Sequence, residues 1–138
     1  MSDLAKALND CYQHELTLVV RYLNLAVRVG GLDRLHLAEF FKENAADSIG
    51  HSEKVGARMM GMGLLPHGKV TEDLGEAPET ADKMLERALQ DESAAVDAYS
   101  KAIALAKNDL ALRETLVHIL KDERDGLDEL KLILRKDS

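Results

Sequence analysis

The sequence is poor in the residues that cross-link, kink or interrupt a small fold. Among its 138 residues are one cysteine, two prolines, nine glycines and no tryptophan, and aromatic residues make up 4%. A single cysteine, Cys11, excludes an intramolecular disulfide framework and a cysteine-based zinc or iron–sulfur site. The scarcity of glycine, proline and aromatic residues disfavours a sandwich or barrel and favours helices. The length fits one domain, and we expect residues 1–138 to form it.

An excess of positive charge and a long apolar segment are also missing. The formal net charge is −7, which argues against binding nucleic acid or an anionic membrane through bulk charge. No apolar run approaches the ~20 residues that a membrane span requires. The N-terminal Met-Ser-Asp lacks the basic and apolar regions of a signal peptide. We therefore expect a cytoplasmic protein that binds neither membrane nor nucleic acid.

Glycine, proline and polar residues divide the chain into four helical segments. Breaks at residues 30–31, 61–66 and 108–109 are the clearest, and Asp33 is in position to cap the second helix. Segments of about 40 Å at 1.5 Å per residue are typical of a four-helix bundle. The short first and last connections predict two antiparallel hairpins, and the longer middle connection allows a crossover along the bundle. We predict an all-α fold with helices near residues 3–29, 34–62, 79–107 and 110–135.

Each predicted helix carries an apolar stripe that polar residues interrupt near its middle. The interruptions are Glu15 in the first helix, Ser48 and His51 in the second, Glu92 in the third and Glu123 in the fourth. Carboxylates in a core are costly, and three together repel one another. A bound divalent cation, with His51 as a further ligand, is the simplest compensation. The alternative is that each glutamate lies at the solvated edge of its stripe, but the coincidence in four helices favours a shared metal site.

The two predicted hairpins repeat one pattern with differences. The first reads Glu/Ser/His and the second reads Glu/Glu/Gly, where the glycine is Gly126. A symmetric arrangement would read Glu/Glu/His twice, which is the arrangement of a carboxylate-bridged two-metal site. This chain therefore lacks one bridging carboxylate, at Ser48, and one imidazole, at Gly126.

Segments of all four predicted helices carry a family resemblance: Leu8–Tyr22, Leu37–Lys54, Met84–Ile103 and Ile119–Leu130. Together they resemble the bacterioferritin branch of the ferritin-like superfamily, over nearly the whole chain. The resemblance implies a ferritin-like four-helix bundle that binds iron for storage or oxidation. It also implies a homo-oligomer, as a homodimer through the first two helices or a larger assembly.

The resemblance further implies a first metal ion held by three residues: Glu15, His51 and Glu123. A second ion would use Glu92 and Glu123, but Ser48 and Gly126 replace the family's other bridging glutamate and second histidine. We therefore expect one iron, or two ions of very unequal affinity, with another divalent metal as the alternative. Ferroxidase activity, in which two Fe(II) reduce one oxidant, should be weak or absent. Haem is not expected, because Ile49 stands where the family has its haem-ligating methionine.

Two other functions stay open on the sequence alone. One is a rubrerythrin-type bundle that handles peroxide with a bound metal. Its rubredoxin-like electron donor would be a separate protein, since the chain has no Cys-x-x-Cys. The other is a metal-free structural subunit, paired with an active paralogue in a shell. Metal content and particle size would separate these functions from iron storage.

Overall fold

Four long helices form the described part of the chain. The computed structural model describes residues 2–70 and 80–135. The helices are α1 Asp3–Arg28, α2 Arg34–Gly61, α3 Ala81–Leu105 and α4 Leu110–Ile133. These bounds confirm the predicted helices to within two residues at each end. Residue 79, where we predicted the third helix to begin, lies outside the described residues.

Side-chain caps begin three of the four helices. In each, a hydroxyl or carboxylate oxygen accepts a hydrogen bond from the backbone N–H three residues later: Ser2 for α1, Thr80 for α3 and Asp109 for α4. Such caps satisfy one of the backbone donors left free at a helix start. Asp33 precedes α2 but makes no side-chain capping bond. Asp33 is therefore the N-cap residue of α2, as predicted, but its side chain does not cap the helix.

The helices pack as two hairpins, as predicted. α1 contacts α2 and α3, and α4 contacts α3 and α2. Short connections at residues 29–33 and 106–109 join the partners of each hairpin. The longer connection, residues 62–80, links α2 to α3. The fold is therefore an all-α four-helix bundle.

The described part of the long connection returns along α1. The backbone N–H of His67 donates to the side-chain oxygen of Asn9 over 2.8 Å. A Cβ atom at Gly68 would lie 2.0 Å from Leu16 Cδ1, so any larger residue would displace that leucine. This close approach explains why residue 68 is a glycine. The contacts with α1 show that the described part of the connection runs along the bundle, as a crossover does.

A polar layer divides the core into two apolar clusters. The first cluster includes residues from all four helices: Leu8, Cys11, Val55, Met59, Tyr99, Leu116 and Ile119. The second cluster lies at the other end of the bundle and also includes residues from all four helices: Leu18, Leu25, Phe41, Met84, Leu85 and Leu130. α2 and α3 both run from the second cluster to the first, so they are parallel and need the long crossover between them. The buried polar residues predicted as interruptions lie between the clusters.

Within residues 2–70 and 80–135, no helix is both long enough and apolar enough to span a bilayer.

Candidate metal centre

Three ligand-type side chains converge in the polar layer. Glu15 on α1, His51 on α2 and Glu123 on α4 each offer one ligand atom, and these atoms lie within 4.8 Å of one another. His51 Nδ1 is 3.0 Å from Glu15 Oε2 and 2.9 Å from Glu123 Oε1. The three residues are 0%, 6% and 4% exposed. They therefore form an enclosed site with two carboxylates and one imidazole.

Glu92, the fourth predicted residue, is in the same layer but outside the tight group of three. Its carboxyl group neighbours that of Glu123, and the hydroxyl of Tyr22 donates to its Oε1 over 2.7 Å. On the other side Glu92 faces α4 at Gly126, where an added Cβ would lie 3.6 Å from Oε2. The structure thus brings all four predicted residues together, and their role as metal ligands stays a prediction.

Protons balance the charge of this layer in the absence of a cation. Burial raises the pKa of Glu15 and Glu123. Burial and the neighbouring Glu123 raise the pKa of Glu92 to about 9. Burial alone would lower the pKa of His51, but hydrogen bonds to Glu123 and Glu15 outweigh it and raise that pKa to about 11. A cationic imidazole and a protonated carboxyl therefore stand where a divalent cation would supply the positive charge.

One buried carboxylate oxygen in the site lacks a partner. Within the described residues, Glu15 Oε1 accepts no hydrogen bond, although it has almost no contact with solvent. Buried polar atoms without partners are rare and costly. Oxygen and imidazole nitrogen together are the ligand types that iron and similar divalent ions take. The donor set and the unpartnered oxygen therefore both fit a bound divalent cation.

Asp122 lies beside the predicted site residues, although its direction on the helix, ~100° from the apolar stripe, favours a position away from them. The structure places Asp122 Oδ2 3.2 Å from His51 Nε2, on a side chain that is 46% exposed. A carboxylate on the second nitrogen of a metal-binding histidine fixes the orientation of the ring. The signal in the sequence was its position directly before Glu123.

A cavity of about 330 Å³ opens from the site to the surface between α2 and α4. Its walls are mainly polar and acidic residues of these two helices, with Glu92 at its base: Asn44, Asp47, Ser48, His51, Asp122, Glu123, Asp125 and Gly126. The small side chain of Ser48 and the lack of one at Gly126 leave this space open. The polar layer is therefore accessible to solvent from the α2–α4 side.

A second buried ionic group lies between α1 and α3 and was not predicted. Arg21 donates to the Asp91 carboxylate, and His14 Nε2 is 3.1 Å from the Asp91 carbonyl oxygen. Asp91 is buried and directly precedes Glu92. His14 therefore contacts the helix that carries Glu92. These contacts of Arg21 and His14 with Asp91 link α1 to α3 at the level of the candidate metal site.

Comparison with known families agrees with this geometry. The profile of the Ferritin-like domain family matches residues 5–138. The chain belongs to the ferritin-like family. Among solved structures, a ferritin-like diiron-carboxylate protein from Bacillus anthracis str. Ames is 27% identical, with a TM-score of 0.84, and the alignment covers 98% of this chain and 100% of that one. No curated protein sequence matches the chain.

More distant ferritin-like structures share the fold. A bacterioferritin from Rhodobacter capsulatus is 22% identical over 97% of this chain and 84% of its own, with a TM-score of 0.81. A dodecameric thioferritin from Bacteroides fragilis is 20% identical over 95% of this chain and 83% of its own, with a TM-score of 0.85. At these identities the comparison shows a shared four-helix-bundle fold and nothing about function.

Proposed function

We propose that this ferritin-like chain binds a divalent metal, with iron as the first candidate, at Glu15, His51 and Glu123. The observation that carries the proposal is the enclosed group of two carboxylates and an imidazole with ligand atoms within 4.8 Å of one another. A relative at 27% identity is a diiron-carboxylate protein, which supports iron. The function we propose is iron storage or oxidation of the bacterioferritin type.

The site is complete for one metal and incomplete for a second. Two carboxylates and an imidazole suffice to hold one ion with open positions. The second position has Glu92 and a share of Glu123, with Ser48 and Gly126 in place of a carboxylate and an imidazole. We therefore propose one bound ion, or two of very unequal affinity. Coupled two-iron oxidation should be weak or absent.

Each residue of the site has a distinct task in this proposal. Bound iron would supply redox chemistry or be stored as cargo. Glu15 and Glu123 both provide negative charge at Nδ1 of the His51 imidazole, the nitrogen that faces the site. Asp122 holds the outer nitrogen and so keeps Nδ1 aimed inward. The apolar clusters above and below exclude water from the layer except at the α2–α4 cavity.

We also propose that the chain assembles as a homodimer or a larger homo-oligomer. The thioferritin relative is dodecameric. Large apolar side chains are exposed along a groove between α1 and α2: Leu23, Val27 and Leu35. Exposed apolar groups clustered on one face are typical of interaction surfaces. The mass of the native protein in solution tests this proposal, and a monomer at all concentrations would refute it.

Metal binding is tested by anaerobic titration with Fe(II) and, as a redox-stable substitute, Co(II). We expect tight binding of one ion per chain, and at least a tenfold loss of affinity in Glu15→Gln. The matched control is Glu43→Gln, an exposed glutamate on α2, which should bind like the parent. Equal affinity in folded Glu15→Gln would refute the site. No binding at all would favour the metal-free structural subunit.

A second candidate function is metal-dependent handling of peroxide, as in rubrerythrin-type bundles. The cavity between α2 and α4 favours it, because a small molecule can reach the site through it. Consumption of peroxide by the reduced, metal-loaded protein, supplied with an external electron donor, tests this candidate. The parent protein should consume it faster than Glu15→Gln, and equal rates would reject the candidate.

A further inference from the structure

A separate groove lies between α2 and α4, one helical turn beyond the cavity of the metal centre. It measures about 650 Å³, and six side chains line it: Lys54, Ala57, Arg58, Glu114, Thr115 and His118. Lys54 follows His51 by three residues on α2. The two openings therefore share the α2–α4 face, but they differ in the charge of their walls. Acidic residues surround the cavity of the metal centre, whereas two cations and a histidine border this groove.

The positive charges of the groove lack acidic partners. Carboxylates outnumber lysine and arginine by 25 to 18 in the chain, yet Lys54 and Arg58 form no ion pair with any described residue. The two are four residues apart on α2, so they lie on one face of the helix and repel each other. Glu114 lines the groove as well, and it too forms no ion pair within residues 2–70 and 80–135. The groove thus holds cationic charge that the described protein does not neutralise.

The guanidinium of Arg58 is held in place at one end only. Its Nε donates to Thr115 Oγ1 over 2.9 Å, and the Thr115 hydroxyl in turn donates to the Ala111 carbonyl oxygen over 3.1 Å. These two hydrogen bonds link α2 to α4 and fix the orientation of the guanidinium. Its terminal Nη1 and Nη2 groups form no hydrogen bond with a described residue. An oriented pair of N–H donors on one planar group is suited to a ligand that offers two oxygen atoms side by side.

A tetrahedral oxyanion matches the donors that border the groove. Two of its oxygens would accept from the Arg58 fork, and a third would face the compact charge of Lys54. The His118 ring supplies a further N–H donor at the α4 side. A carboxylate has only two oxygens and chloride is a single atom, so neither can satisfy these donors together. A volume of about 650 Å³ also leaves room for an organic group attached to the anion.

We propose that this groove binds a phosphate-type oxyanion, either free or as the phosphate group of a small ester. Arg58 and Lys54 supply the binding charge, and Thr115 is a positioning residue that orients Arg58. Glu114 weakens the site, because its negative charge repels the ligand. The groove shares no lining residue with the cavity of the metal centre, so the proposal does not depend on metal binding.

The test is a titration of the metal-free protein with inorganic phosphate at pH 7.5 and constant ionic strength, followed by isothermal calorimetry and NMR chemical shifts. We expect one phosphate per chain, with a dissociation constant on the order of millimolar. Arg58→Gln and Lys54→Gln should each weaken binding about fivefold or more. Lys101→Gln is the matched control, because it makes the same change of charge at an exposed position on α3, and it should bind as the parent does.

A variant that strengthens binding keeps the test decisive if the other variants do not fold. Glu114→Gln removes the repelling charge and should tighten phosphate binding about threefold. Misfolding cannot produce such a gain. Its matched control is Glu129→Gln, at an exposed position farther along α4, which should leave the affinity unchanged.

The choice of anion tests the geometry of the site. Sulfate should bind about as well as phosphate, while acetate and chloride should bind about tenfold more weakly. Glycerol 3-phosphate distinguishes the two sources: tighter binding than phosphate assigns the groove to an ester, and equal or weaker binding assigns it to the free ion. Lack of saturable binding, equal affinity for acetate or chloride, unchanged affinity in Arg58→Gln, or no gain in Glu114→Gln would each overturn the proposal. Because the protein is free of metal, none of these results bears on metal binding at Glu15, His51 and Glu123.

Discussion

At the scale of single residues, His51 determines how the site is oriented. Its inner nitrogen faces Glu15 and Glu123, and its outer nitrogen faces Asp122. These contacts restrain the ring before any metal binds. A ligand that is already oriented loses less conformational entropy on binding, so affinity should depend on the outer contact as well as on the inner ones.

Asp122→Asn should therefore weaken metal binding although Asp122 lies outside the tight group of three. We expect a loss of about tenfold in Co(II) affinity, the low end for such partners of a histidine ligand. Titration calorimetry measures the effect, with the exposed Asp128→Asn on the same helix as control. An affinity equal to that of the parent would show that the rim carboxylate does not orient His51.

The raised pKa values predict how the stability of the metal-free protein depends on pH. His51 rises from 6.5 to about 11 and Glu92 from 4.5 to about 9 on folding. The folded state holds both protons more tightly, so their contribution is complete below the ordinary pKa values. It is lost as pH rises, for Glu92 up to about 9 and for His51 up to about 11.

Between about pH 7 and pH 9 the free energy of unfolding should thus fall, by ~1 kcal/mol per pH unit for each group. Urea midpoints at several pH values measure the decline. Glu92→Gln removes one of the two groups and should give a shallower slope. A flat or rising profile in the parent would mean that the buried layer does not hold these protons.

At the scale of helices, periodicity predicted the elements well and their lateral contacts poorly. The stripes give the buried face of each helix, and this placed Glu15 and Glu123 correctly in the layer. The same reasoning treats each helix alone. Asp122 reaches His51 because a cavity separates α2 from α4 here, and a residue beside the stripe can extend across its rim.

Asp91 was missed for a related reason. It stands beside Glu92, off the stripe, and its burial depends on a partner from α1 that is far away in sequence. Arg21 and His14 lie on the α1 surface that faces α3. Single-helix patterns carry no information on which charges meet across two helices. The ion pair was therefore outside what the sequence could predict without contacts.

Asp91→Ala should destabilise the protein by removing this link between α1 and α3. Loss of one partner leaves Arg21 partly buried, and the cost of breaking such a pair is about 3 kcal/mol. Urea unfolding measures it, and the exposed Asp97→Ala on the same helix should change stability by less than ~0.5 kcal/mol. Equal effects of the two substitutions would indicate that the Arg21 contact contributes no stability.

At the scale of the whole molecule, the bundle closes the polar layer between two apolar ends and leaves one side open. The clusters of Leu8, Cys11 and Ile119 and of Leu18, Phe41 and Leu130 cover the layer along the bundle axis. The open side coincides with Ser48 and Gly126, the two departures from the symmetric ligand pattern. Under the proposed function, these are the two positions at which a symmetric two-metal site would have a further carboxylate and a further imidazole.

Restoring those side chains should restore the second metal position. In Ser48→Glu combined with Gly126→His, the layer would contain a carboxylate and an imidazole at both equivalent places, matching the two-metal pattern of ferritin-like bundles. We expect Co(II) binding to rise from one to two ions per chain and Fe(II) oxidation to become faster than in the parent. The space at Gly126, where a Cβ would lie 3.6 Å from Glu92, accommodates the start of the new side chain without a clash.

The control is Ser48→Gln with Gly126→Asn, which adds polar side chains that are poorer metal ligands. It should keep the parent stoichiometry and oxidation rate. Circular dichroism shows whether Ser48→Glu with Gly126→His folds. If this variant folds but binds no additional metal, then positions 48 and 126 do not face each other as a second metal site requires. Since the first site needs only Glu15, His51 and Glu123, its single metal would survive that result, and only the second position would be refuted.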